Sequence, residues 1–213
     1  MRGAAAAQSR GEELANSISH GVGVAAALVA TPFLIAHAAR RGSAAFLVGT
    51  GVFAATVVLL YLASTLYHAL PHGKAKRAFR IIEHSAIFLL IAGTYTPFTL
   101  GVLRGPWGWT LIALIWTLAV AGVLLESVGG VRHPIVSMVL YLGMGWLMVV
   151  AVRPLWLKVP LPGLLWLLLG GLAYTAGVAF YGAKRLHYGH FVWHLFVLAG
   201  TTCHYIAVAL YAA

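Results

Sequence analysis

Charge is what this chain has least of. Only 8% of its 213 residues are Asp, Glu, Lys or Arg, and just four of those are acidic. A soluble domain carries about 25% charged residues, so charge cannot cover a folded surface here and a soluble globular enzyme is excluded. Cysteine is almost missing as well. Cys203 stands alone, which rules out an internal disulfide, a disulfide-stapled secreted domain and a thiolate-rich metal site. Extended polar stretches are absent, which excludes a disordered chain. The short alternating segments of a β-barrel, about 10 residues each, are absent too.

Long apolar runs are present instead. The apolar set makes up 62% of the chain, roughly 132 residues. A membrane-crossing helix takes about 20, so six or seven helices nearly exhaust the composition. The pattern predicts an all-α bundle of seven transmembrane helices over 16–39, 44–69, 79–103, 107–128, 134–152, 162–183 and 189 to the C-terminus. Gly and Pro mark most of the boundaries, among them Gly42, Pro71, Gly73, Gly105 and Pro106. The connections are short, so one membrane domain over residues 1–213 is expected, with a tail over about 1–15. The opening residues are Ala-rich without a long apolar core, so no cleaved signal peptide is expected there.

The net charge of +10 reads as topology. The basic residues sit singly or in small clusters between apolar runs, so no nucleic-acid partner is expected, and membrane lipids are the expected partners. With seven spans, one side collects Arg2, Arg10, Lys74, Lys76, Arg77, Arg80, Arg132, Lys184 and Arg185. The other collects Arg40, Arg41, Arg104, Arg153 and Lys158. The excess on the first side predicts a cytoplasmic N-terminus and an external C-terminus.

Ionisable groups inside spans are costly and mark function. His190 and His194 form an HxxxH on the first turns of the seventh helix. They share one face, about 6 Å apart along the axis. Such a pair either offers two nitrogens to one metal ion or hydrogen-bonds to helix partners near the interface. Ser64 and His68 share a face near the end of the second helix, and Glu83 opens the third. The end of helix two and the starts of helices three and seven fall on one membrane side, so all these groups are expected at one depth, just inside the inner leaflet. Three His nitrogens plus a water would make an open tetrahedral zinc site.

These residues also carry a resemblance. Glu12 through Gly21, Ser64 through His68, Glu83 through Phe98 and His190 through Gly200 resemble, in order, the blocks of the bacterial hemolysin III family, a branch of the progestin and adipoQ receptors. The resemblance implies a seven-helix protein of the bacterial plasma membrane, with zinc on His68, His190 and His194 and with Ser64 and a helix-three carboxylate beside it. The family usually has Asp where this chain has Glu83. The longer side chain either reaches the metal directly or displaces the water it would hold.

The expected chemistry is hydrolysis of a lipid amide or ester with an acyl chain, Glu83 handling the proton and Ser64 supporting the oxyanion. A likeness to the alkaline ceramidases in the same residues supports amide hydrolysis by analogy. The alternatives are a non-enzymatic lipid or membrane-state sensor with structural zinc and, third, a channel, which would want polar residues at several depths. Elsewhere, His20 is expected at the interface, or less readily as a donor to the site. Glu126 is expected at an interface near Arg132, and His204 bonded within the bundle. His37, His72, His133 and His187 are expected in solvent contact, Cys203 in packing, and Pro97 as a kink with Thr hydroxyls nearby.

The charge bias makes a direct prediction. In a Cys203→Ala background, a cysteine placed at Lys74 should label from the cytoplasm and one at Ala213 from outside. The opposite pattern would reverse the orientation.

Overall fold

In a computed structural model the described residues, 8–129, 134–183 and 186–213, are helical, with no strand among them. Arg2, Arg132, His133, Lys184 and Arg185 lie outside the described residues. Seven helical spans are long and apolar enough to cross a membrane. They are α1 (Arg10–Arg41), α2 (Ala44–Ala69), α3 (Lys74–Leu100), α4 (Pro106–Gly129), a broken fifth span, α7 (Leu161–Gly182) and α8 (Gly189–Tyr211). The fifth consists of α5 (Pro134–Trp146), a 3₁₀ stretch (Leu147–Ala151) and α6 (Val152–Lys158).

Three of these bounds depart from the pattern of apolar residues. Helix α1 starts six residues before the expected position 16. Ser9 and Glu12 form a capping box: the Ser9 side chain accepts from the Glu12 N–H at 3.2 Å, and the Glu12 carboxylate accepts from the Ser9 N–H at 2.8 Å. Two otherwise orphaned donors are thereby satisfied, and the polar first turn becomes helix. Helix α3 starts at Lys74, not 79, so Glu83 lies well inside it and not at its opening. The fifth span runs past 152. Pro154 lacks the N–H that an α-helix would direct at the Val150 carbonyl, and the chain passes through a 3₁₀ segment and continues. Arg153 and Lys158, expected in a loop, therefore lie in α6.

Helix α3 lies at the centre. It packs on α2 and α4 and also meets α5 and α8, while α1 packs on α2 and α8, and α7 on α8. Of its apolar window 72% is buried, against 17% for α1 and for α7. Helices α2 and α3 approach closely because of glycine. A Cβ at Gly49 would lie 3.0 Å from the Pro97 Cα, and one at Gly93 would run into the Thr56 hydroxyl. Small residues at helix contacts suit a bilayer, where apolar burial does not by itself drive helices together. Phe46, Phe53, Leu60, Leu90, Phe98 and Val208 fill the core between α2, α3 and α8. Phe88, Tyr95, Ile115 and Met144 fill a second core against α4 and α5. The opposite faces are apolar and exposed, as in Leu14, Ile18, Val22, Val29 and Phe33 of α1, and suit lipid.

Irregular backbone at membrane depth must find partners in the protein. At the break of the fifth span one side chain supplies them. The Tyr95 hydroxyl donates to the Met144 and Gly145 carbonyls, at 2.7 and 3.0 Å, and accepts from the Met148 N–H at 2.8 Å. Near Pro97 the Thr94, Thr96 and Thr99 hydroxyls donate to the carbonyls of Leu90, Ala92 and Tyr95, and not to the Gly93 carbonyl that the proline leaves open.

Tyr95→Phe removes the hydroxyl and leaves these backbone groups without it. Stability in detergent should fall by about 1–3 kcal/mol, read as a lower Tm. An unchanged Tm would show that the break does not depend on Tyr95.

Candidate metal centre

Four side chains meet where the C-terminal end of α2 and the N-terminal parts of α3 and α8 come together. His68, Glu83, His190 and His194 each offer one ligand atom, and these atoms lie within 4.8 Å of one another. The imidazole centroids stand 5.1 Å (His68–His190), 5.1 Å (His68–His194) and 4.7 Å (His190–His194) apart. The shared depth expected from topology is thus a shared site, and the group can hold a metal ion.

The hydrogen bonds around the rings fix which nitrogen faces inward. His68 Nδ1 is 2.7 Å from Glu13 Oε2. A carboxylate accepts, so Nδ1 carries the proton and Nε2 keeps a lone pair. His194 Nδ1 lies 3.2 Å from the Asn16 carbonyl and 3.1 Å from Ser19 Oγ. The carbonyl can only accept, and the Ser19 hydroxyl already donates to it at 2.8 Å, so His194 too presents Nε2. The Nε2 atoms of His68 and His190 are buried with no hydrogen-bond partner among the described residues. Buried nitrogens are rarely left so. His68 combines a ring held from behind with an unpartnered inward lone pair, which is what a metal ion requires.

Glu83 is 5% exposed. Its Oε1 accepts from Ser64 Oγ at 2.6 Å and lies 3.6 Å from His68 Nε2. Because α3 begins at Lys74, Glu83 cannot swing out past a helix end; Ser64 and the surrounding helices hold it. The Ser64 proton points at this carboxylate. His84, the next residue, bonds to the Arg80 carbonyl at 2.9 Å, and its Nδ1 also lies 3.5 Å from Glu83 Oε2.

Sequence reasoning missed Glu13. It joins His68 to Lys76, whose Nζ is 2.9 Å from Glu13 Oε1 and also donates to the Tyr67 carbonyl at 2.9 Å and the Leu70 carbonyl at 3.2 Å. Lys76, read as a topogenic charge, is therefore buried and caps the end of α2. The available signal was the Ser9-x-x-Glu12 box, which extends α1 and puts Glu13, Asn16 and His20 on one face. His20 needs correction as well. It is 3% exposed and faces the site, the less favoured of the two expectations, stacking on His194 with centroids 3.6 Å apart and planes 5° from parallel. Glu126 is likewise buried, bonded to Ser137. His72 and His187 are exposed as expected, while His37 is half-buried beside Arg41.

A cavity of about 110 Å³ adjoins the cluster and is lined mostly by apolar groups. His20, Glu83 and His194 line one part of it. Leu90, Thr94 and Tyr95 of α3, Trp146 of α5, Tyr174 and Thr175 of α7, and His204 of α8 line the rest.

Fold and cluster together define a multi-pass membrane protein with a buried His/Glu group able to hold a metal ion. The chain belongs to the haemolysin-III-related family, which it matches over residues 8–205. It is 44% identical over 200 residues to Hemolysin-3 of Bacillus cereus, covering 94% of this chain and 91% of that protein. It is equally similar, at 44% over 200 residues, to the Hemolysin-3 homolog of Bacillus subtilis, covering 94% of each chain. A more distant likeness, 26% over 212 residues, links it to the human Monocyte to macrophage differentiation factor, with 94% of this chain and 84% of that one covered. That protein represents the progestin and adipoQ receptor relation.

Elemental analysis of the purified protein should find about one equivalent of metal, and His194→Ala should lose most of it. Glu13→Gln should weaken metal affinity by about 10–100-fold, as loss of a residue orienting a ligand does. Full retention in His194→Ala would remove the cluster as the binding site.

Proposed function

We propose that the protein is a zinc-dependent hydrolase of a membrane lipid amide or ester, placed in the bacterial plasma membrane with the His cluster at the cytoplasmic side. The observation that carries this reading is the cavity lined by Glu83 and His194. A purely structural metal needs no such space beside it. Three imidazoles and a carboxylate suit zinc among the divalent ions, and the rings of His68 and His194 are already held in the required tautomer. Held by His68, His190 and His194, zinc supplies Lewis acidity that lowers the pKa of water towards ~7 and polarises a carbonyl.

The chain's own residues do the rest. Glu83 takes a proton from the attacking water and returns it to the leaving amine or alcohol as the C–N or C–O bond breaks. Ser64 orients that carboxylate through its 2.6 Å bond; support of an oxyanion requires the hydroxyl to turn away from Glu83. Glu13 and the Asn16 carbonyl keep two imidazoles from rotating. The apolar walls receive an acyl chain and exclude bulk water.

One observation favours a second reading. The Glu83 ligand atom lies within the same 4.8 Å as the three imidazoles. As a fourth ligand it would close the site, as structural zinc sites are closed, and the protein would then be a membrane-state sensor in which zinc ties α2, α3 and α8 together.

Glu83→Gln separates the two. For a hydrolase the variant keeps its zinc and loses lipid hydrolysis, measured by mass spectrometry of lipid extracts incubated with the protein. Ser64→Ala keeps zinc and slows turnover, by about 10–100-fold for an orienting partner. For a closed site, Glu83→Gln loses zinc and melts earlier, and the parent protein hydrolyses no lipid.

A further inference from the structure

The cavity has a polar group far from the metal cluster for which hydrolysis gives no use. His204 follows His194 by ten residues of α8, about 15 Å along the helix axis, and both line the same cavity. His204 Nε2 lies 3.3 Å from the Leu167 carbonyl oxygen. That oxygen can only accept, so Nε2 carries the ring proton and Nδ1 is an acceptor. This Nδ1 is buried and has no partner among the described residues. An acceptor buried in an apolar chamber without a donor is penalised, and here the ring is held in place. Helix α7 seats it at Gly170, where a Cβ would overlap Nε2 and Cδ2, and the Tyr174 ring lies 5.5 Å away.

Nearby hydroxyls do not supply the missing donor. Thr94 donates to the Leu90 carbonyl at 2.8 Å and Thr175 to the Gly171 carbonyl at 2.7 Å. Tyr174 pairs with Thr201 at 2.7 Å. The walls between the two histidines include Leu60, Ile87, Leu90 and Val197, which hydrogen-bond to nothing through their side chains. The wall between the two histidines is therefore apolar, with unpartnered ring nitrogens at His20 beside the cluster and at His204 far from it.

We propose that His204 is a second binding station, and that the ligand is an acyl chain bearing a hydroxyl partway along its length. This rests on the reading of the cavity as the acyl-chain compartment of the site. With C–C bonds of ~1.5 Å an extended chain advances ~1.3 Å per carbon. A span of about 15 Å then places the hydroxyl roughly a dozen carbons from the head group. The hydroxyl donates to His204 Nδ1. A keto group at the same carbon, which only accepts, gains nothing.

The test is equilibrium binding of stearate, 12-hydroxystearate and 12-ketostearate to the full-length, metal-loaded protein in nanodiscs. 12-Hydroxystearate should bind about three- to tenfold more tightly than either of the others. His204→Phe should lose the preference for the hydroxyl over both stearate and the keto acid. His204→Gln, whose amide oxygen can accept, should retain part of it. Equal binding of all three ligands by the parent protein would overturn the station while leaving the acyl-chain compartment intact. A preference that survives in His204→Phe would overturn the assignment to His204. Failure of stearate itself to bind would overturn the compartment and the station with it. Should His204→Phe not fold, the hydroxyl-against-keto comparison on the parent protein still decides the donor requirement.

Discussion

The bond between Glu13 and His68 is the constraint from which the site follows. An imidazole buried among apolar helices has two nitrogens to satisfy, and rotation or a change of tautomer would redirect both. Glu13 takes one of them at 2.7 Å, which leaves the other aimed at His190, His194 and Glu83. Glu13 is itself held by Lys76, so its charge is balanced where water is scarce. The neighbouring Glu12 does related work on α8. Its Oε1 accepts from the Tyr188 N–H at 2.9 Å. Tyr188, at φ 57°, is the only described non-glycine residue in the left-handed region and immediately precedes α8. One turn of α1 therefore fixes an imidazole on α2 and the starting point of the helix that carries His190 and His194. A bilayer cannot provide hydrogen bonds in its core, which is why a His/Glu group able to hold a metal ion needs this outer layer of protein partners.

The sequence made the seven spans legible because composition leaves so little freedom: runs of apolar residues that long have one stable form in lipid. The cluster was legible for a different reason. His68, Glu83, His190 and His194 come from three helices, and only the counting of spans says that these helix ends share a side. Polar elements were harder. The first turn of α1 looks like a tail when apolar residues alone are followed, and its capping box is a local signal that periodicity does not register. His20 was misplaced for the same reason, since with α1 started at 16 it lies near a helix end. With α1 started at 10 it lies three turns in, against His194. Glu83 was misplaced by a late start for α3. In each case the first turn of the helix is polar, and apolar periodicity does not register it.

The break in the fifth span was half legible. The expected end at 152 falls just before Arg153 and Pro154, and the residue before a proline commonly ends a helix. Nothing in the spacing indicated that the chain would cross the interruption and go on to Lys158. That depends on Tyr95, fifty residues away in sequence, whose hydroxyl meets the loosened carbonyls and the Met148 N–H. Tertiary rescue of this kind has no local signature.

The break also bears on what the site can do. Tyr95 and Trp146 both line the cavity that adjoins Glu83 and His194. An unbroken fifth helix would have no need of the Tyr95 hydroxyl. As built, α3 contributes at two depths: Glu83 at the cluster and Tyr95 about three turns further along, at the irregular segment. Between them α3 presents Ile87, Leu90, Ile91 and Thr94 to the chamber. Polar groups therefore occur at more than one depth, which a channel also requires. The wall between them is apolar, and the hydroxyl of Thr94 is turned onto its own helix. A water or ion path wants successive groups free to exchange partners. A chamber with polar groups at its ends and a dry wall between them suits a chain with a head group better than a conducted ion.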